Sequence, residues 1–382
     1  MAPIVNTEPL AVYLHWPYCA RICPYCDFNV HLDKRANEGE QLVEAMVRDL
    51  SYWLAWTGPR RVGSIHFGGG TPSLLTGPQL ETLVQAVRNL WTVDTAEIAL
   101  EANPNDVTPA RIAAWQTAGL TRLSLGVQSF DDAVLTRLGR DHDGSAARDA
   151  VKEAVAAFAS VSADLIFGVA GERDGRLDRD LDALLDFGVP HISTYQLTIE
   201  PGTSFARAEL RGVQQAVGEN QSANDFEMIS DRLIGAGYHH YEVSNFAQPG
   251  HESCHNLAYW RGQDYVGVGP GAHGRLWTAA GRVATETALR PTDYIGAVKT
   301  SGTAITERET LSAEAAAEEY VMMGLRIEEG LSLSRLEAIR GAALAIEPAL
   351  IEDGLLARDG DNLRATEQGR MVLDALTRAI LL

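Results

Sequence analysis

From residue 11 to about 245, short β-branched or apolar runs alternate with longer stretches whose apolar residues recur at helical spacing. No other feature constrains the fold as much, because two parallel strands must be joined by a crossover of a dozen or more residues, usually a helix. The pattern predicts strands at 11–15, 62–67, 97–101, 122–128, 162–167 and 191–197, with a possible seventh at 240–244. Helices are expected at 40–56, 78–91, 109–118, 146–159, 177–187 and 223–236. Thr76 is placed to cap the second helix, and Pro78 and Pro109 suit a first helical turn, where the missing N–H costs nothing. Six βα repeats and a parallel sheet follow. The 382 residues leave room for an α/β barrel and a further domain.

Beyond residue 250 the pattern changes to a Gly-rich stretch at 261–274 and then to sequence expected to be irregular up to about 310, where the barrel would end. Helices are expected at 313–327, 332–340 and 347–353, then a hairpin around 358–362 and a last helix at 367–380. That order is winged-helix-like. The chain is therefore divided into 1–245, 246–309 and 310–382. A winged helix raises the question of DNA, but Glu314, Glu318, Glu319, Glu328 and Glu329 crowd its first helix. Asp plus Glu number 51 against 32 Lys plus Arg, a net charge of −19 that repels phosphates. Docking or lid duty is expected instead, and no nucleic-acid partner. The start, MAPIVNTEPL, lacks the basic and apolar regions of a signal peptide, and no run reaches 18 apolar residues, so a cytoplasmic location is expected.

Three of the four cysteines fall within eight residues: Cys19-Ala-Arg-Ile-Cys23-Pro-Tyr-Cys26, directly after the first expected strand. In a reducing compartment such a cluster points to a metal or to redox chemistry rather than to disulfides. Thiolates serve both zinc and iron–sulfur clusters. Zinc needs a fourth ligand, which His15, Asp27 or His31 could supply, whereas three thiolates on one short loop suit a cubane with one iron left open. Inert buried thiols remain the bland alternative. Gly68-Gly69-Gly70-Thr71-Pro72 closes the second strand, where absent side chains allow close approach to backbone N–H groups able to hold an anion, or simply a tight turn. Polar residues recur at the C-terminal ends of later strands: Glu101, Gln128, Asp164, and Tyr195 with Gln196. In (β/α) barrels that rim carries the active site. Any one of them could equally be a buried hydrogen bond or a helix cap.

The C-x3-C-x-aromatic-C spacing resembles the radical SAM superfamily, which implies a partial (β/α)6 barrel, a [4Fe-4S] cluster on Cys19, Cys23 and Cys26, and S-adenosyl-L-methionine on the open iron. Tyr25 occupies the position that stacks adenine, though it could simply pack the loop. Gly69, Gly70 and Thr71 stand in a GGE-type motif that holds the amino group of the methionine moiety, with Thr71 in place of the acid found in many relatives. The resemblance assigns Tyr13, Glu101, Gln128, Arg140, Asp164 and Gln196 to the cofactor, Glu101 and Asp164 being suited to ribose hydroxyls.

The segments HWPYCARICPYCDFNVH, HFGGGTPSLL, EANPNDV, RLSLGVQSF, ISTYQLTIEPGT and YEVSNFAQPGHESCHNLAYWRG resemble the HemN/HemW group of oxygen-independent coproporphyrinogen III oxidases and haem chaperones. The oxidases carry an additional cysteine two positions after the third and a longer N-terminal extension. Here Phe28 stands in that position and about ten residues precede Ala11. Both features resemble the HemW haem chaperones, which implies capture of haem and its delivery to membrane-bound haem enzymes rather than catalysis. The alternative is oxidative decarboxylation of coproporphyrinogen III, a tetra-carboxylate that a charge of −19 does little to attract. The resemblance also implies peripheral association with the inner face of the membrane through such partners, and a homodimer that accompanies cluster binding. His255-Asn-Leu-Ala-Tyr259-Trp260 fits the HNxxYW pattern of the chaperones. An imidazole is a good axial ligand to haem, Tyr259 and Trp260 offer flat faces, and Cys254 is a second potential ligand. A His-Asn turn before an aromatic pair is also an ordinary anchor for a loop on a barrel. One departure lies beside Asp164: relatives have a Gly-Leu-Pro-Gly-Gln-Thr-like turn where this chain has Gly168-Val-Ala-Gly-Glu-Arg, which puts the cofactor geometry there in doubt.

Overall fold

The computed structural model describes residues 8–32, 38–94 and 96–381. Residues 1–7, which carry most of the expectation about the N-terminus, lie outside the described residues. Six successive parallel strands form the centre of one large sheet: β1 (Leu10–Trp16), β2 (Val62–Gly69), β3 (Glu97–Ala102), β4 (Arg122–Gln128), β5 (Ser160–Phe167) and β6 (His191–Gln196). The connecting helices are α1 (Glu38–Thr57), α2 (Gly77–Leu90), α3 (Pro109–Ala118), α4 (Gly144–Ala157) and α5 (Arg176–Asp186), with α6 (Glu219–Gly235) after β6. Thr76 caps α2 through a full capping box with Gln79, as its sequence predicts.

Alternation within each strand sorts the side chains. On β1, Leu10, Val12 and Leu14 join Leu42, Met46, Leu50 and Trp53 of α1 in the main hydrophobic cluster. Each such fully buried aliphatic contributes roughly 1.5–3 kcal/mol. The other face turns into the barrel and is polar. There Tyr13 registers with His66 and His66 with Ala99, while Ser124 registers with Ser162 and Asp164 with Ser193. A (β/α) barrel interior is usually packed with branched apolar residues. This one is built for polar contacts.

The stretch expected to be irregular is not. After β7 (His239–Glu242) and β8 (Asn245–Ala247), the chain forms α7 (Cys254–Trp260), β9 (Tyr265–Val268), β10 (His273–Thr278), β11 (Gly281–Thr287), α8 (Pro291–Ser301) and β12 (Ile305–Thr310). The sheet order is β12-β11-β10-β9-β1-β2-β3-β4-β5-β6-β8-β7. A seventh parallel strand thus exists, but it is β9, added beside β1, while the 240–244 candidate is an antiparallel edge strand shifted to His239–Glu242. At its C-terminal end the chain places α9 (Ala313–Gly324), β13 (Leu331–Ser332), α10 (Leu333–Arg340) and the hairpin β14 (Leu356–Asp359) and β15 (Asn362–Ala365), a winged-helix-like unit with its own small core. Ion pairs Arg261–Glu329 and Arg275–Glu319 tie it to the end of α7 and to β10. The expected last helix divides into Glu367–Arg370 and α11 (Leu373–Leu381).

Candidate functional site

The C-terminal ends of the parallel strands open onto a cavity of about 400 Å³. Its wall contains Cys19, Cys23, Cys26, Tyr25, Gly69, Gly70, Thr71, Glu101, Gln128, Arg140, Asp164 and Gln196. Those residues come from a loop, five strand ends and the segment after a helix, so the barrel gathers what the sequence scatters. Tyr13 is not in the wall. It lies below, its hydroxyl 3.1 Å from His15 Nδ1.

The cysteine loop leaves β1 through the pair Tyr18–Cys19, which is hydrogen-bonded in parallel to His31–Leu32. Asn29 fixes its far side, donating through Nδ2 to Pro270 O at 2.9 Å and Leu289 O at 2.8 Å, while its own carbonyl meets His15 Nε2 at 3.0 Å. Asn29→Ala should therefore cost about 1–2 kcal/mol and speed amide exchange across residues 20–32, which hydrogen-exchange mass spectrometry would read. Burial pushes the Cys19 and Cys26 thiols up, Cys26 to about 11, and neighbouring thiols add to the effect on both. Thr71 hydrogen-bonds Cys19. Arg140 Nη1 lies 3.4 Å from Cys23 Sγ, and its Nη2 donates to Asn103 Oδ1 at 2.6 Å and Gly126 O at 3.0 Å. Sequence reasoning missed Asn103, which aims this cation. Among the described residues no three His, Cys, Asp or Glu converge tightly enough for a single metal ion. Three thiols on one wall, with a fixed cation and a hydroxyl donor at sulfur, fit a larger anionic cluster better than zinc.

The glycine run behaves differently from the anion cradle expected of it. Gly69 N–H donates to Glu101 Oε2 at 3.2 Å, Gly70 N–H to Trp16 O at 2.7 Å and Thr71 N–H to Tyr18 O at 2.8 Å. All three donors are used inside the protein. The glycines answer to the protein as well: a Cβ on Gly69, whose φ is +108°, would fall 2.5 Å from the His15 ring, and one on Gly70 would fall 2.8 Å from Tyr18 O. A run with its donors spent suits a ligand group that itself donates, such as an amine, rather than an anion.

Around the rim, Glu101 accepts from His66 Nε2 at 2.9 Å as well as from Gly69. Asp164 is held on the cavity floor near Ser124 and Ser193, where burial first, and Glu101 further, raise its carboxyl to about 6. Gln128 has φ +65°, the one left-handed non-glycine among the described residues, at an irregularity in the pairing of β4 with β5. Residues held in that region cluster at active sites and ligand clamps. The Gly168-Val-Ala-Gly turn pairs with segment 215–217 and stays out of the wall.

The Cys254–Trp260 residues are not brought to this cavity. Ser253 caps α7, and the helix closes the opposite, N-terminal end of the barrel against β2 and Glu97. His255 is buried, with Nδ1 at 3.1 Å from Ser64 Oγ and its ring stacked on His66 at 4.5 Å. Tyr259 packs edge-on to His255 and Tyr265 and borders a pocket of only about 50 Å³. Cys254 alone of the four is exposed.

Residues 13–190 match the radical SAM superfamily and residues 311–372 the HemN C-terminal domain. A heme chaperone HemW of Mycobacterium tuberculosis is 38% identical over 100% of this chain and 97% of its own length. That of Escherichia coli K12 is 36% identical over 99% and 100%, and the mitochondrial radical S-adenosyl methionine domain-containing protein 1 of Bos taurus 36% over 100% and 89%. The solved coproporphyrinogen III oxidase HemN of Escherichia coli shares the fold, with a TM-score of 0.81 over 98% of this chain and 91% of that one, at 21% identity. With end-to-end likeness to such relatives and a three-cysteine loop on the barrel rim, the chain belongs to the HemW family of the radical SAM superfamily.

Proposed function

We propose that this protein is a haem chaperone that binds haem and passes it to haem-dependent membrane enzymes, carrying a [4Fe-4S] cluster on Cys19, Cys23 and Cys26 and S-adenosyl-L-methionine in the adjoining cavity. The observation that carries the reading is the full-length identity of 36–38% to relatives named heme chaperones, against a likeness to the oxidase that is one of fold. When bound, the cluster supplies an electron to the sulfonium of the cofactor. The chain's own work is to hold and orient. Arg140 places a fixed cation beside Cys23, and Tyr25, packed on Phe205 at 6.2 Å, offers its other face to adenine. Gly69, Gly70 and Thr71 frame the amino group, Glu101 and Asp164 take ribose hydroxyls, and Gln128 and Gln196 complete the rim. Tyr13 supports them from below.

Phe28, where the oxidases carry a further cysteine, is 65% exposed at the cavity mouth and cannot ligate iron. Haem contact is assigned to the Cys254–Trp260 helix, through the exposed Cys254, with His255, Tyr259 and Trp260 following on the same helix. Among the described residues no helix is long and apolar enough to cross a membrane. Haem titration followed by absorbance tests the reading. Cys254→Ala combined with His255→Ala should weaken binding at least about tenfold, and an unchanged titration would remove this helix from the haem site. Anaerobic incubation with S-adenosyl-L-methionine, reductant and coproporphyrinogen III should leave the porphyrinogen intact; formation of protoporphyrinogen would falsify the chaperone reading in favour of the oxidase.

A further inference from the structure

Beneath the cavity, three rings lie nearly parallel in the polar interior of the barrel. His66 stacks on His255 at 4.5 Å and 9°, and Tyr13 covers both, 6.1 Å from His66 and 5.9 Å from His255. Ser64 holds the His255 ring at Nδ1, and Tyr259 closes its edge at 4.7 Å. The stack leaves His66 little freedom to rotate. Its Nε2 meets Glu101 Oε1 at 2.9 Å, and because a carboxylate can only accept, that nitrogen carries the proton. The opposite nitrogen, Nδ1, is buried with no hydrogen-bond partner among the described residues. An imidazole buried with one nitrogen unsatisfied and the other committed to a carboxylate is expensive, so the committed bond should matter.

Glu101 is the beneficiary. Its two oxygens are fixed from behind, Oε1 by His66 and Oε2 by the Gly69 N–H at 3.2 Å, while the side chain stays 40% exposed toward the cavity. A carboxylate immobilised by one donor on each oxygen presents its remaining lone pairs side by side, the arrangement that receives two adjacent hydroxyls. Freed of His66, the side chain would turn about its last torsions and lose that pairing.

We infer that His66, braced by His255 and Tyr13, is a positioning residue that holds Glu101 in the orientation that accepts the vicinal diol of an adenosyl ligand. The inference rests on the proposed S-adenosyl-L-methionine site, so its test compares two ligands. The dissociation constants of S-adenosyl-L-methionine and its 2′,3′-dideoxy counterpart are measured on the cluster-loaded full chain, anaerobically and without reductant. Wild type should prefer the diol at least about tenfold. His66→Phe, which keeps a stacked ring but has no N–H, should bring that preference to within about twofold while the dideoxy ligand binds as to wild type. His66→Gln, whose amide can replace the Nε2 donor, should retain the preference. Should H66F disturb the fold, H66N carries the same test, because its amide stops short of Glu101. A purely structural role would weaken both ligands alike. H66F or H66N with the full preference intact overturns the inference, whereas a wild type without any preference overturns the ribose reading of Glu101 on which it rests.

Discussion

Replacing any one of Cys19, Cys23 or Cys26 by alanine is expected to take bound iron from about four per chain to almost none, measured by iron and sulfide analysis after anaerobic purification. The effect is all-or-none for a physical reason. A cubane on three thiolates has no spare thiol in the loop, the fourth cysteine, Cys254, lying on α7. Phe28 fills the position at which a fourth thiol would stand. Cys254→Ala should leave the iron unchanged, since that thiol lies on α7 at the other end of the barrel. About one zinc per chain with no sulfide would sink the cluster reading and restore the zinc module.

The parallel half of the molecule was legible because its strands and helices are each buried on a regular period. Arg122–Gln128 and Pro109–Ala118 fall where the sequence puts them, to the residue. The stretch 261–310 was not, because antiparallel strands with one wet face carry no apolar run: Ile305–Thr310 reads ITERET, half-buried only at its first residue. Tyr265–Val268, further into the sheet, is short and glycine-containing, and only its pairing beside Leu14 and Val12 makes it part of the sheet. The site divides in the same way. The cysteine spacing and the rim positions survive without coordinates, since strand ends can be counted. His66 carries no motif of its own within the 62–67 strand, although strict alternation from Gly68 through His66 to Ser64 places it on the inward face. His255 could not be placed at all from sequence. A motif on a seven-residue helix says nothing of which end of the barrel it closes, and the structure sets it beneath the cavity, 4.5 Å from a ring that touches Glu101.

Asp164→Asn is expected to make the protein more stable at pH 7.5, by up to about 3 kcal/mol, while weakening its hold on an adenosyl ligand. The sign follows from linkage. Burial, the largest cause, and the Glu101 charge lift the carboxyl from 3.8 to about 6, against the hydrogen bonds from Ser193 and Ser124 that favour ionisation. Between those two values the folded chain holds a proton that the unfolded chain has released, so stability falls as pH rises from 4 to 6 and stays low above. An asparagine cannot ionise and escapes that loss. Its advantage should therefore be greatest at pH 7.5, begin to shrink near pH 6, fall to about a third by pH 4.5 and be nearly gone only near pH 3.5, as paired denaturant melts across that range would show. Asp49, also raised to about 6 by burial, contributes a similar slope to both proteins and cancels in the difference. A gain that does not change with pH, or a loss at pH 7.5, would mean that the carboxyl is solvated in the open cavity. On the proposed cofactor assignment, the same ionised oxygens would accept from the ribose hydroxyls, which is why the variant that gains stability is expected to lose affinity.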